Sequence, residues 1–234
     1  MTEGLRAILP ILIGYLLGSI PFGYVIVKLI RGIDIREYGS HNIGATNVLR
    51  VVGWFPALLT LLGDIGKGVL PPVLATLPLF TGGGPPNPWV VVLAPLAAIC
   101  GHAYSAYFYL KERRFARGKA VAAGLGAVIG FVASGQVAWP ALAIIAAVWA
   151  SAIVLPKLAQ RRWGWVSLAS ILAACSMPVA FVLVRAQLPF VVFGVAAAVF
   201  VTWKHKENLG RLLDGVEPRL GEKVPLAKVD KDEV

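Results

Sequence analysis

Long apolar stretches recur from Leu5 to Phe200, separated by short loops. Many reach the ~20 residues a helix needs to cross about 30 Å of hydrocarbon. The chain is 58% hydrophobic and 15% charged, where a soluble domain is about a quarter charged, and its mean hydropathy is +0.75. These features predict an all-α polytopic membrane protein of about seven transmembrane helices, near 5–30, 51–79, 89–110, 120–134, 138–156, 166–187 and 189–203. Residues 1–221 read as one integral membrane domain and 222–234 as a polar cytoplasmic tail, solvated and poorly ordered. The first run is too long for the apolar part of a signal peptide, and no small-residue cleavage site follows it, so it reads as a retained span.

The net charge is +10, from 22 Lys and Arg against 12 Asp and Glu. On a soluble chain this would suggest nucleic acid, but the distribution points to topology instead. Residues 31–50, 111–119, 157–165 and the tail from Lys204 hold 18 of the 22 basic residues, while the loops 80–88, 135–137 and 188 hold none. Basic residues in short loops resist translocation and stay cytoplasmic. The alternation predicts an N-terminus outside, seven crossings and a C-terminus inside. Membrane lipids are the expected surroundings, and the basic rim is suited to anionic headgroups and anionic substrates. Gly14 and Gly18 share a helix face, as do Gly126 and Gly130, and read as positions of close helix packing. Cys100 and Cys175 both lie inside apolar runs and are expected to be buried thiols outside any disulfide framework.

Three polar stretches fall on the predicted cytoplasmic edge. The first, Arg36 to Arg50, carries Gly39, Ser40, Asn42, Gly44, Thr46 and Asn47. Glycines permit the positive φ values of an anion nest, the short polar side chains add hydrogen bonds, and the planar fork of Arg50 suits phosphate oxygens. An anion site is the favoured reading over a solvated turn. In the second, Gly118 and Lys119 sit where the fourth span should begin, and a helix N-terminus beside a lysine makes a phosphate seat. His102, inside the third span, is either part of that site or a satisfied interior histidine. In the third, His205, Asn208 and Arg211 recur every three residues and would form one stripe on a continuing helix. Ser167 follows a basic loop and is placed to line the same cavity. Asp64 and Lys67, at i and i+3 in the second apolar run, are costly there and should pair, as a structural ion pair or as part of a site.

Together these stretches resemble the bacterial acyl-phosphate:glycerol-3-phosphate acyltransferase family. The resemblance runs through GSIPFGYVI at 18–26, YGSHNIGATNVLRVVG at 38–53, DIGKG at 64–68, GHAYSAYF at 101–108, RGKAVAAGLG at 117–126, WVSLAS at 165–170 and HKENLGRLLDGVE at 205–217. It implies transfer of a fatty acyl group from acyl phosphate to the 1-hydroxyl of glycerol 3-phosphate. The products would be lysophosphatidate and inorganic phosphate, the first acylation of bacterial phospholipid synthesis. It also implies a place in the bacterial cell membrane with the active site at the cytoplasmic face, and a functional link to the enzyme that produces acyl phosphate. Matching motifs place Ser40, Arg50, Lys119, Ser167, His205 and Asn208 in the active site, with Gly118 in the motif that holds phosphate. The second motif departs from the family pattern GGKGVAT at Arg117, Ala120 and Ala123. The two alanines are small, and would be neutral if the helix has already begun there.

The residues five after His41, His102 and His205 are Thr46, Tyr107 and Gly210, so the His-x4-Asp dyad of other glycerolipid acyltransferases is absent. An acyl phosphate is already activated, and positioning with charge stabilisation suffices for its transfer. Direct attack by the glycerol hydroxyl is expected, with His205 orienting or deprotonating it, or with the acyl phosphate taking the proton. No carboxylate is expected among the cations. Three histidines and scattered carboxylates give no metal ligand set, so no metal and no cofactor are expected. A transporter of organic phosphates is the alternative reading; it would need a polar pathway reaching both faces, and the uncharged outer loops speak against it.

Overall fold

The computed structural model describes residues 1–113, 115, 118–160 and 162–222. Arg117 and all of the tail beyond Glu222 lie outside the described residues. The described chain is helical: α1 (Glu3–Gly18), α2 (Phe22–Arg31), α3 (Ala45–Val51), α4 (Trp54–Ala75), α5 (Pro78–Thr81), α6 (Pro88–Ala103), α7 (Ala106–Glu112), α8 (Val121–Ala133), α9 (Pro140–Gln160), α10 (Val166–Leu183), α11 (Leu188–Lys204) and α12 (Lys206–Leu213).

Five stretches are long and apolar enough to span a membrane: Glu3–Arg31, Trp54–Ala75, Pro88–Glu112, Pro140–Gln160 and Val166–Leu183. A sixth is formed if α11 and α12 count as one span, although they are bent by 59° at His205. The fourth expected span is shorter than the others. Its helix, α8, has 13 residues, about 20 Å at 1.5 Å per residue, well short of the hydrocarbon thickness. The structure therefore supplies five or six candidate spans where the sequence led us to expect seven.

The departure of the second motif at Ala120 is not neutral. α8 starts only at Val121, and Ala120 itself sits at φ +57°, a left-handed conformation that strains any side chain and favours glycine. Ala123 lies in the first turn of the helix, 1% exposed, against Gly68, where an added Cβ would collide with the Ala123 backbone. Glycine is needed at 68 for this approach.

Small residues set the closest helix contacts. Gly14 and Gly18 of α1 lie directly on Ala94 and Ala98 of α6, while Gly126 and Gly130 of α8 press onto the Ile65–Pro72 stretch of α4. Such close approach replaces the hydrophobic effect as the source of cohesion in lipid. Deeper in the bundle, Phe131 of α8 packs edge-on against Phe181, Phe190 and Phe193, with centroids 6.4, 5.0 and 5.0 Å away. This cluster ties α8 to α10 and α11. The two cysteines are free but exposed on outward helix faces, which corrects the expectation of buried thiols: a membrane helix has an apolar face for lipid as well as one for its neighbours.

The first and third spans are each broken near the same level, at Ser19–Pro21 and Tyr104–Ser105. Each break leaves backbone groups unpaired, and each satisfies the other. Ser105 Oγ donates to Ser19 O at 2.5 Å, Ala106 N donates to Ser19 Oγ at 3.2 Å, and Tyr15 OH donates to Tyr104 O at 2.9 Å. Lys67 Nζ reaches the same break, donating to Ile20 O at 2.9 Å. It is also 2.8 Å from Asp64 Oδ1, and the two side chains are 2% and 3% exposed. The expected pairing of Asp64 and Lys67 is thus observed, with a structural task at the helix break. Removing one partner leaves a buried charge uncompensated. Lys67→Met should destabilise the protein by about 3–5 kcal/mol, read as a lowered thermal midpoint in detergent, and Asp64→Leu/Lys67→Met should recover much of that loss.

Candidate functional site

Helix α12 ends in Asp214-Gly215. Gly215 has φ +72°, and the last turn closes with Val216 N donating to Arg211 O at 2.9 Å and Gly215 N to Leu212 O at 3.2 Å. This is a Schellman stop, which glycine permits because it lacks a Cβ. The reversal returns the chain along α12 and lays Glu217 beside it, with Glu217 N donating to Arg211 O at 3.1 Å. Trp165, before α10, fixes the strand from the other side by donating to Glu217 O at 3.0 Å.

Glu217 is 6% exposed, and both carboxylate oxygens are engaged. Oε1 accepts from Asn208 Nδ2 at 2.6 Å, and Oε2 accepts from Arg211 Nε at 2.7 Å. Asn208 Oδ1 in turn accepts from Lys119 Nζ at 2.5 Å. One hydrogen-bonded line therefore runs Lys119, Asn208, Glu217, Arg211, and it fixes the orientation of the Asn208 amide. Arg50, in the last turn of α3, points to the same place, donating to Pro218 O at 3.4 Å.

The electrostatics follow from this crowding. Burial lowers the Lys119 pKa to about 8, with Arg211 and Arg50 adding repulsion and Glu217 opposing it. Arg50 is lowered by burial as well. Burial alone would raise the Glu217 carboxyl, but the hydrogen bonds from Asn208 and Arg211 outweigh it and hold the group below its usual range. It is an anion set among three cations.

His205 occupies the bend between α11 and α12 and is 3% exposed. Its Nδ1 is 2.8 Å from Val201 O. A carbonyl only accepts, so Nδ1 carries the hydrogen and Nε2 of the neutral ring is an acceptor. Burial, and then the charge of Lys119, lower its pKa to about 4, so the ring is neutral at pH 7. His205, Asn208 and Arg211 do gather, but around a bend and not along one straight helix.

The loop before α3 is shaped by Asn47, which is 2% exposed. Its Oδ1 accepts from Ser40 N at 2.9 Å, and its Nδ2 faces the carbonyls of Asn42, Tyr38 and Ile35 at 2.8, 3.0 and 3.3 Å. Gly39, at φ +62°, lies so close that a Cβ would strike the Asn47 amide. Asn42 Oδ1 accepts from Gly44 N at 2.9 Å, which sets the turn into α3. Asn47, Gly39 and Asn42 are thus used in building the loop, while Ser40 is exposed and Gly44 and Thr46 are half-buried at the start of α3. The loop is clamped from outside by Arg36, which pairs with Asp34 at 2.5 Å and Glu112 at 2.7 Å.

The structure therefore brings Arg50, Lys119, His205 and Asn208 together around Glu217. Ser167, in the first turn of α10, has its hydroxyl buried beside the Glu217 carboxylate without a well-formed hydrogen bond. His102 is placed differently: its Nδ1 is 3.5 Å from Asp64 Oδ1, away from the cation line, and Gly118 rests on its ring. The expectation that no carboxylate lies among the cations is overturned by Glu217. Its signal in the sequence was the Asp214-Gly215 stop, which folds the end of the third motif back on itself. Among the described residues no group of three or more His, Cys, Asp or Glu is placed to hold a metal ion.

The chain is similar to known proteins along most of its length. The family model described as glycerol-3-phosphate acyltransferase matches residues 8–215. A glycerol-3-phosphate acyltransferase of Gloeobacter violaceus is 39% identical over 208 residues, covering 89% of this chain and 92% of that protein. One from Thermosynechococcus vestitus is 44% identical over 223 residues, covering 94% and 98%. The crystal structure of PlsY, an integral membrane glycerol 3-phosphate acyltransferase, in its glycerol 3-phosphate form superposes with a TM-score of 0.74 at 34% identity, covering 92% of this chain and 96% of that one. Its lysophosphatidic acid form gives a TM-score of 0.72 at 33% identity, covering 92% and 95%. The chain belongs to the integral membrane glycerol-3-phosphate acyltransferase family.

Proposed function

We propose that the protein transfers a fatty acyl group from acyl phosphate to the 1-hydroxyl of glycerol 3-phosphate, releasing lysophosphatidate and inorganic phosphate. The observation that carries this reading is the line Lys119–Asn208–Glu217–Arg211, with Arg50 beside it. It is a cationic, partly desolvated surface, and both substrates are phosphates. Charge-assisted hydrogen bonds gain strength in such a setting. The donor assignment rests on the likeness to PlsY, and an activated acyl donor needs no covalent nucleophile on the enzyme.

In this reading Lys119 and Arg50 hold phosphate oxygens, and Ser40, Thr46 and the backbone around Gly44 and Gly118 complete the cradle. Asn208 holds Lys119 in place, and Ser167 lines the cavity. His205 Nε2 accepts the hydrogen bond of the 1-hydroxyl and orients its oxygen toward the acyl carbonyl carbon. The new C–O ester bond forms as the bond from the carbonyl carbon to the phosphate oxygen breaks, and the phosphate leaves with that electron pair. The hydroxyl proton passes to His205 or to a phosphate oxygen. The low basicity of His205 favours orientation over full abstraction. Residues 1–221 act as one membrane domain of the bacterial cell membrane, with α8 as its short fourth crossing, the N-terminus outside and the site at the cytoplasmic face. The basic loops support that orientation. The chemistry requires an enzyme that supplies acyl phosphate as a functional partner.

Incubating purified protein with glycerol 3-phosphate and, separately, acyl phosphate, acyl-CoA or acyl-carrier protein tests the reading. Lysophosphatidate is expected from acyl phosphate alone. Product from a thioester donor would overturn the donor assignment, and no product from any donor would favour phosphate transport.

The pH dependence tests the site. Lys119 must be cationic to hold phosphate, so kcat/KM should fall as pH rises through about 8. Glu217 raises the Lys119 pKa, and Glu217→Gln should therefore move this alkaline limb to lower pH. A limb that stays in place would contradict the assignment of Lys119.

A further inference from the structure

The buried group on the other side of Gly118 has no part in the mechanism above. Asp64 and Lys67 come from α4, His102 from the last turn of α6, and all three are at most 4% exposed. His102 Nδ1 is buried, makes no hydrogen bond, and lies 3.5 Å from Asp64 Oδ1. A buried imidazole nitrogen in this state costs free energy and calls for an explanation. The other edge of the ring meets Gly118. A Cβ built on Gly118 would lie 2.6 Å from His102 Cδ2, 2.8 Å from Nε2 and 2.5 Å from the His102 carbonyl oxygen. Gly118 is not among the glycines with positive φ. Glycine is therefore required here by the histidine pressed against it and not by backbone conformation. The next residue is Lys119, followed by Ala120 in its left-handed turn.

We propose that His102, aimed by Asp64, is a positioning residue for the phosphate site: its ring is the floor under Gly118 and sets how far Lys119 reaches toward Asn208 and the substrate. This rests on the reading of Lys119 as a phosphate ligand and goes beyond it, because His102 is no member of the Lys119–Asn208–Glu217–Arg211 line and would act through the backbone of Gly118. The Asp64–Lys67 pair is untouched when His102 is replaced, so the helix break it supports keeps its partner. A ring that only fills space would affect stability; a ring that sets Lys119 affects the use of glycerol 3-phosphate.

The test is steady-state kinetics on the purified full chain with acyl phosphate and glycerol 3-phosphate. His102→Ala should raise KM for glycerol 3-phosphate about tenfold or more, with a smaller change in kcat. His102→Gln, which refills the space and offers Asp64 a donor, should restore most of that KM. His102→Asn, a smaller polar replacement that leaves Gly118 itself unaltered, should raise the same KM and serves as the second variant if His102→Ala fails to fold. An unchanged KM in His102→Ala, or in His102→Asn where the alanine variant does not fold, would overturn the proposal. So would a loss confined to kcat that Gln does not rescue, since that would make His102 a group acting on the reacting atoms. Lys119→Met is the control: if it leaves KM unchanged, the reading of the phosphate site fails and not merely the role of His102.

Discussion

A buried glutamate between an asparagine and an arginine holds this site together. Arg50, Lys119 and Arg211 would repel one another if gathered without an anion, and burial at a membrane edge sharpens that repulsion. Glu217 supplies the compensating charge, and the Asn208 amide relays it to Lys119 by donating to the carboxylate and accepting from the ammonium. The same carboxylate ties the end of the chain's third motif to α12 through Arg211. In the proposed reading the cations are thus preorganised before substrate arrives, which is where positioning and electrostatic catalysis gain their rate.

The bundle exists to bring four remote segments to that carboxylate. Close glycine contacts of α1 on α6 and of α8 on α4 bring the helices together. The paired breaks at Ser19–Pro21 and Tyr104–Ser105 let two long spans turn at one level without orphaned backbone groups. The short helix α8 then begins two residues after Lys119, with Ala120 between them in a left-handed turn. In the proposed reading α8 serves both as a membrane helix and as the end of a phosphate loop.

Much of this was legible in the sequence. Charge alternation, glycine spacing and the three polar stretches marked the helices, their packing faces and the residues that converge. The limits are instructive in physical terms. Hydropathy reports apolar length and not where a helix starts, so residues 120–134 read as a span although Ala120 lies outside the helix in a left-handed turn. An apolar run does not say which face meets lipid, so Cys100 and Cys175 read as buried. Glu217 meets α12 only after the reversal at Gly215, and helical periodicity, which carries the chain onward in one direction, places it away from Asn208 and Arg211. Asn47 shapes the loop and His102 lies against Asp64, and neither task could be told from a place in the site by sequence, because polar residues near an anion loop look alike whether they touch a ligand or hold the loop.

The central claim is that the cation line around Glu217 is a binding site for a phosphate monoester. Calorimetric titration of glycerol 3-phosphate into the purified protein, with no acyl donor present, tests it most directly. Saturable binding is expected, weakened at least tenfold (about 1.4 kcal/mol) in Lys119→Met and in Asn208→Leu, with plain glycerol giving no signal. Equal affinity in the two variants and the unaltered protein would contradict it.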